Sequence, residues 1–281
     1  MKIGITGATG QLGRIIVEKL KEKTAAENIV VLVRSPQKAA DLGVEARTFD
    51  YEQPDTEALK GIDKLLLISG NEIGKRLEQH TKVIEAAKKS GVKLIVYTSL
   101  LRTDVSTISL AGEHLGTEKV LKTSGIPFVL LRNGWYTENY TGSVRDIVNS
   151  GVLYGSSGDG KVSSATRADF AEAAVAVLTT EGQAGKVYEL AGDEAYTMSD
   201  FAAEVSKVSG KSVTYKNLPV EEYVAGLVSA GLPDMWAQFY GGTSVSTGKG
   251  DLFDDGHQLS KLIGRPTTPL FKVIAEALTK A

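Results

Sequence analysis

Through the first half of the chain, short runs that are apolar at nearly every position alternate with longer stretches of mixed polarity. From Lys2 to about Leu131 the runs read K-I-G-I-T, N-I-V-V-L-V-R, V-E-A-R-T-F, D-K-L-L-L-I-S, V-K-L-I-V-Y-T-S and I-P-F-V-L-L-R. A strand with one wet face alternates apolar and polar residues. Most of these runs do not, as expected of strands covered on both faces by crossover helices. With the helix-like segments between them, the rhythm predicts an α/β fold built on a doubly wound parallel sheet. Residues 73–90 form the clearest helix, and Gly91 is its stop signal.

Beyond Gly151 the rhythm changes. A hairpin-like piece at 152–162, a helix from about Arg167, a strand at 186–190 and a helix at 198–208 are expected, then an extended segment at 212–218 and a helix at 220–230. Residues 231–256, rich in glycine and sprinkled with aromatics, read as the least regular part, and apolar segments at 259–262 and 270–278 close the sequence. The expected division is a dinucleotide-binding domain over 1–150 and a smaller α/β cap over 151–281, some of whose segments return to the sheet. Open α/β sheets place their ligands at the carboxyl ends of the strands, which the cap would cover.

With 281 residues and 42% hydrophobic content, the chain can bury a core without disulfides or metals. The net charge of −2 leaves no basic footprint, so no nucleic-acid partner is expected. There is no cysteine, and His80, His114 and His257 are scattered, so no metal is expected. No apolar run is long enough to span a bilayer, and a strand-like segment begins at Lys2 with no signal-type segment before it. A cytoplasmic, unprocessed protein without a membrane partner is the expectation. No heptad or basic stripe names a protein partner or an oligomeric state.

Residues 3–13 read I-G-I-T-G-A-T-G-Q-L-G, a strand running into Gly7, Gly10 and Gly13 and then an amphipathic helix. Gly7 allows the tight turn, Gly10 lets backbone approach a pyrophosphate, Gly13 permits close helix packing, and the helix N-terminus offers free N–H groups to the anion. The site stretch is therefore Gly7, Ala8, Thr9, Gly10, Gln11, Leu12 and Gly13. The G-x-x-G-x-x-G spacing points to a Rossmann-type sheet of the short-chain dehydrogenase/reductase kind. Where NAD-binding chains end their second strand in Asp or Glu, this one has Val33-Arg34-Ser35. Arg34 can face a 2′-phosphate, with Ser35 and Lys38 adding a hydroxyl and a second charge, so NADPH is favoured over NADH. Phe49-Asp50-Tyr51 ends the third strand, where it either borders the adenine or caps the next turn. Ser69, Gly70 and Asn71 end the fourth, where small residues suit backbone running close to a ribose or nicotinamide.

Reductases of ordinary carbonyls in this superfamily carry Tyr-x-x-x-Lys on the helix after the fifth strand. Here that helix reads A-G-E-H-L-G-T-E-K-V-L, with His114 and Glu118 in the two positions. Together with Arg34, L-L-R-N-G-W-Y-T-E-N at 130–139, S-A-T-R-A-D at 164–169 and L-I-G-R-P-T-T-P at 262–269, this resembles the NmrA-like atypical short-chain reductases over almost the whole chain. Within that family the chain is most similar to the bacterial NADPH:quinone oxidoreductases of type 2. The resemblance implies NADPH held in a cleft between a Rossmann domain and a small C-terminal domain. By position it adds contacts at Asn133, Gly134, Trp135, Tyr136, Thr137, Glu138 and Arg167, which spacing alone does not select.

The missing tyrosine is compatible with a quinone acceptor. Hydride addition to a quinone leaves a phenolate, with a conjugate-acid pKa of about 10, against about 15.7 for a water-like alkoxide. That gap corresponds to about 8 kcal/mol less demand for a proton. What remains necessary is an apolar slot holding the ring against the nicotinamide. Phe170, Trp236, Phe239, Tyr240 and Phe253 are candidate walls. His114 is a candidate catalytic residue, to protonate or orient the product oxygen, or else it pairs with Glu118 one turn away. The alternative function is an NADP(H)-binding redox sensor of the NmrA-like type without turnover.

Overall fold

Most of the apolar runs become buried strands. The computed structural model describes residues 1–279, within which the chain divides into two interleaved units. The first comprises Met1–Asp104, Leu110–Asn133 and Arg167–Leu190, and the second Val105–Ser109, Gly134–Thr166 and the described part of Ala191–Ala281.

The first unit is a parallel sheet of seven strands: β1 (Ile3–Thr6), β2 (Ile29–Val33), β3 (Glu45–Thr48), β4 (Lys64–Leu67), β5 (Leu94–Leu100), β6 (Phe128–Asn133) and β8 (Val187–Leu190). Their order is β3-β2-β1-β4-β5-β6-β8, so the chain reverses its direction of travel between β1 and β4. All residues of β1, β2 and β5 are buried. At the β3 edge, where backbone groups lack a neighbour, Glu45 takes Lys2 at 2.9 Å and Arg47 at 2.8 Å, charges that discourage edge-to-edge pairing. Helices α1 (Gln11–Lys21) and α6 (Arg167–Thr179) pack together, tied by Lys19 to Glu172 at 2.6 Å. Helices α2 (Arg76–Lys89) and α3 (Ala111–Ser124) also pair with each other, and Val83, Ile84, Ala87 and Leu121 close a core over Leu65, Leu67, Ile95 and Tyr97.

The second unit contains α4 (Glu138–Thr141), α5 (Val144–Ser150), β7 (Val152–Gly155), α7 (Met198–Ser209), β9 (Thr214–Asn217), α8 (Val220–Ser229), α9 (Asp234–Gly248), α10 (Gln258–Ile263) and α11 (Leu270–Thr279). The expected domain range extends to residue 281, whose last two residues lie outside those described. Two expectations fail here. Residues 152–162 are not a hairpin: β7 pairs in parallel with β9, and Val162 bridges to Tyr196. Gly160 is required there because a Cβ would collide with the Thr247 carbonyl. Residues 231–256 are irregular only outside α9, a fifteen-residue helix that takes up most of them. Its glycines cost about 1 kcal/mol each in helix propensity. A Cβ on Gly241 would meet Val224 of α8 at 2.4 Å, so close helix packing demands the residue that propensity disfavours.

Candidate functional site

The loop from β1 into α1 is shaped by its glycines. Gly7 sits at φ +62°, Gly10 donates its N–H to the Gly7 carbonyl at 3.0 Å, and Gly10 then serves as N-cap of α1. A Cβ on Gly13 would stand 2.4 Å from the Gly7 oxygen, so the helix lies against the loop only because none is there. Gly10 supplies no capping side chain, and the first turn of α1 has no acidic residue. The positive helix end and its free amides are thus left for an anion from outside the chain. At the end of β2, Arg34 and Lys38 are exposed, and among the described residues neither side chain is paired. Arg14 is not available in the same way, being held by Asp41 at 2.6 Å and the Lys38 carbonyl at 2.8 Å. Asp50 caps the turn after β3 by accepting the Glu52 N–H at 3.0 Å, the second of its two expected roles.

The loop after β4 is held from inside. Ser69 donates its N–H to Thr98 Oγ1 at 2.9 Å, and Gly70 donates its N–H to His80 Nε2 at 3.0 Å. The Gly70 carbonyl accepts from Arg76 Nε at 2.7 Å. Arg76 is buried and paired with Glu113 at 3.0 Å, and Glu113 also accepts the Gly74 and Arg76 amides. Because His80 Nε2 is an acceptor, its proton sits on Nδ1, which donates to Thr117 Oγ1 at 3.0 Å. Burial, then the nearby Arg76 charge, pushes the His80 pKa down to about 3. Tyr51 does not reach outward: its hydroxyl meets Thr6 Oγ1 at 2.5 Å and the Ile68 carbonyl at 2.7 Å, bracing the first loop against this one. His80, Thr98, Arg76 and Glu113 escaped the sequence reading. Their partners lie 6 to 39 residues away in sequence, and no local spacing marks them.

On α3, His114 and Glu118 do not pair with each other. His114 is 4% exposed, and its Nδ1 meets the Tyr97 hydroxyl at 2.7 Å. Burial, with the charge of Arg76 adding to it, pushes its pKa down to about 3, so the ring is neutral at neutral pH. Glu118 is fully buried and held bidentately by Arg132, Nε at 2.9 Å and NH2 at 2.8 Å, with Ser99 Oγ donating at 2.7 Å. Arg132 also reaches Glu189 at 2.7 Å. Where the carbonyl reductases keep a lysine beside a tyrosine, this chain therefore has a neutralised carboxylate beside a neutral histidine.

Next to Arg132, Asn133 is 5% exposed and its Oδ1 has no hydrogen-bond partner, an acceptor suited to an amide donor from a bound group. With the open helix end and the unpaired cations at Arg34 and Lys38, the first unit has the donor set that a phosphorylated dinucleotide requires. Arg167 opens α6 in the same unit.

Residues 134–138 belong to the second unit. Trp135 and Thr137 exchange backbone hydrogen bonds with Ala165 at 3.1 and 2.9 Å, beside the Tyr136–Ala165 bridge. Thr137 Oγ1 meets Ser164 Oγ at 2.8 Å, and Ser164 meets the Tyr196 hydroxyl at 2.5 Å. Glu138 begins α4. Trp135 stacks on Phe239, which meets Trp236 and Tyr240 edge-on. A cavity of about 400 Å³ opens beside this cluster. Of the expected slot walls only Tyr240 lines it, while Phe170 is 1% exposed in the core of the first unit. Trp135, Tyr140, Tyr154 and Tyr223 supply the remaining rings.

A family model described as NAD(P)H-binding matches residues 7–181. Quinone oxidoreductase 2 of Escherichia coli (strain K12) is 52% identical over 278 residues, covering 97% of each chain. The crystal structure of an NADPH-dependent quinone oxidoreductase from Escherichia coli, complexed with NADPH, is similar with a TM-score of 0.96 at 51% identity, covering 99% of this chain and 100% of that one. A Citrobacter sp. triphenylmethane reductase complexed with NADP(H) gives a TM-score of 0.95 at 38% identity, covering 98% and 100%.

Proposed function

The chain belongs to the NAD(P)H-binding family, and from that premise we propose that it is an NADPH-dependent quinone oxidoreductase passing hydride directly to its acceptor without a flavin. The observation that carries this reading is the burial and neutralisation of Glu118 by Arg132 beside a neutral His114. A carbonyl reductase needs a strong proton donor there. A quinone does not, because the oxyanion formed on it is a phenolate of pKa about 10, stable enough to take its proton from water.

Bound NADPH supplies the hydride. The amides of Gln11, Leu12 and Gly13 hold the pyrophosphate, and Arg34, with Lys38, holds the 2′-phosphate. Ser69, Gly70 and Asn71 line the ribose and nicotinamide, their backbone fixed by Thr98, His80 and Arg76. Asn133, whose buried Oδ1 has no partner, would serve as an acceptor for the cofactor, and the resemblance adds residues 134–138 and Arg167 as residues that would touch it. His114 serves as a neutral hydrogen-bonding group that orients the product oxygen, since an imidazolium is not populated at neutral pH. The sensing alternative has less support, because the whole-length relative is named as an oxidoreductase. Among the described residues no helix is long and apolar enough to cross a membrane, and the cytoplasm is the compartment this reading assigns.

The test follows NADPH absorbance on addition of 1,4-benzoquinone, with the uncatalysed rate subtracted, and repeats it with NADH and with Arg34→Ala. Rapid protein-dependent oxidation is expected, with a preference for NADPH that falls about tenfold or more in Arg34→Ala. NADPH binding without quinone-dependent oxidation would favour the sensor.

A further inference from the structure

Arg14 stands on the first turn of α1, its N–H donating to the Gly10 carbonyl at 3.0 Å, directly after the amides that face the pyrophosphate. Its guanidinium lies against the turn Pro36–Leu42 that follows β2. There Nη2 donates to the Lys38 carbonyl at 2.8 Å and Nη1 to Asp41 Oδ2 at 2.6 Å. The turn begins beside Arg34 and is closed by the Lys38 N–H, which donates to the Ser35 carbonyl at 3.0 Å. Three cations, Arg14, Arg34 and Lys38, thus stand on or against one short turn, and among the described residues only Arg14 has a carboxylate partner. That partner is loosely held. The Asp41 side chain is 68% exposed, and an ion pair so open to water is weak and screened by salt. The hydrogen bond from Arg14 holds the Asp41 carboxyl below the usual carboxylate range, so it is ionised at neutral pH. Lys21, the other cation close to Asp41, is engaged by Glu18 at 2.8 Å and the Leu42 carbonyl at 3.1 Å.

We propose that Arg14 is a third cation of the 2′-phosphate subsite, held in reserve by Asp41, and that Asp41 thereby sets how strongly the protein prefers a phosphorylated dinucleotide to an unphosphorylated one. The inference rests on the NADPH reading of the first unit. A phosphate monoester brings about two negative charges and three acceptor oxygens, where Asp41 brings a single charge. It therefore competes well for the guanidinium. The exchange costs only the Nη1 bond, because the Nη2 bond to the Lys38 carbonyl keeps Arg14 on the turn. Without the Asp41 carboxylate nothing is given up, and the phosphate meets three free cations. A ribose without the phosphate gains little from the same change, since its neutral hydroxyl has no charge for Arg14 to answer.

The experiment is calorimetric titration with 2′,5′-ADP and with 5′-AMP, which carry the adenosine with and without the 2′-phosphate and hold no nicotinamide. It compares the wild type, Asp41→Asn, Arg14→Gln and the double variant at low ionic strength. Asp41→Asn is expected to raise the affinity for 2′,5′-ADP about three- to tenfold and to leave 5′-AMP unchanged, with the gain fading near 1 M salt. In the Arg14→Gln background the same Asp41→Asn change is expected to alter 2′,5′-ADP binding by less than about twofold, because no guanidinium is left to release. NADP+ against NAD+ is expected to repeat the pattern. If the pair serves only to tie α1 to the turn, cutting it loosens the site and weakens both nucleotides. An unchanged or weakened 2′,5′-ADP affinity in Asp41→Asn, a gain shared by 5′-AMP, or a gain of the same size without Arg14 would overturn the inference while leaving the NADPH reading in place. Wild-type protein that binds 2′,5′-ADP no more tightly than 5′-AMP would overturn the NADPH reading, and the inference with it.

Discussion

The loop from Gly7 to Gly13 and the α3 face that carries His114 and Glu118 both belong to the first unit, but one is made of backbone and the other of buried side chains. The loop works by omission: no Cβ at Gly13, no capping side chain at Gly10, no acid in the first turn of α1. What it lacks is what a pyrophosphate supplies. The α3 face is already complete within the protein, since Glu118 has its cation in Arg132 and His114 its partner in Tyr97. The difference separates a surface that awaits an anion from one whose charges are spent on one another, and it assigns anion binding to the first and a charge-neutral face to the second.

The contrast breaks most sharply at Arg132. In Arg132→Met, Glu118 remains buried with only the half-exposed Lys122, at 4.0 Å, as a cation, and urea unfolding is expected to show a loss of about 3 kcal/mol. Replacing both residues by methionine is expected to recover most of that loss, because two apolar groups of similar volume need no partner.

Acid probes the same face. His80 and His114 have folded pKa values of about 3, against about 6.5 in the unfolded chain. Between those values the unfolded chain binds the extra protons, so their contribution is fully present above about pH 6.5 and is lost as pH falls towards 3. The two together allow a slope of up to about 2.7 kcal/mol per pH unit in that window. His80→Gln retains an acceptor for the Gly70 N–H and is expected to lower the slope measured by unfolding between pH 6 and 4. Over pH 5 to 8, the quinone reduction rate is expected to show no ionisation from His114.

Gly13→Ala sharpens the backbone side of the comparison. Its new Cβ would press on the Gly7 carbonyl and the Ala8 Cα. A stability loss of about 1–3 kcal/mol is expected, together with weaker NADPH binding by calorimetry. The smallest effect belongs to Lys38→Ala. This exposed, unpaired cation is expected to contribute about two- to fourfold to NADPH affinity, a contribution that disappears near 1 M salt.

Legibility in the sequence follows the same line. The sheet was readable because β1, β2, β4, β5 and β6 are each near-continuous apolar runs, and the cradle because three glycines at a fixed spacing have a local geometric meaning. The α9 helix was not, because Gly241 and Gly242 argue against a helix unless Val224 of α8 is known to lie against the first of them. Parallel pairing of β7 with β9 joins segments some sixty residues apart, which no hairpin signal encodes. The identities at 114 and 118 were visible, but their partners were not: Tyr97 is 17 residues from His114, and Arg132 is 14 from Glu118. Both lie on strands brought beside the helix only by the fold.

Direct hydride transfer to the acceptor is the central claim, and a single-turnover experiment tests it most directly. The flavin-free protein is loaded with NADPH deuterated on either face of C4 and mixed with excess 1,4-benzoquinone, and loss of nicotinamide absorbance is timed. The account expects oxidation to slow for one deuterated face only, with no flavin absorption at any stage. Oxidation that requires added flavin, or that proceeds at the same rate for both deuterated faces and the unlabelled cofactor, would contradict it.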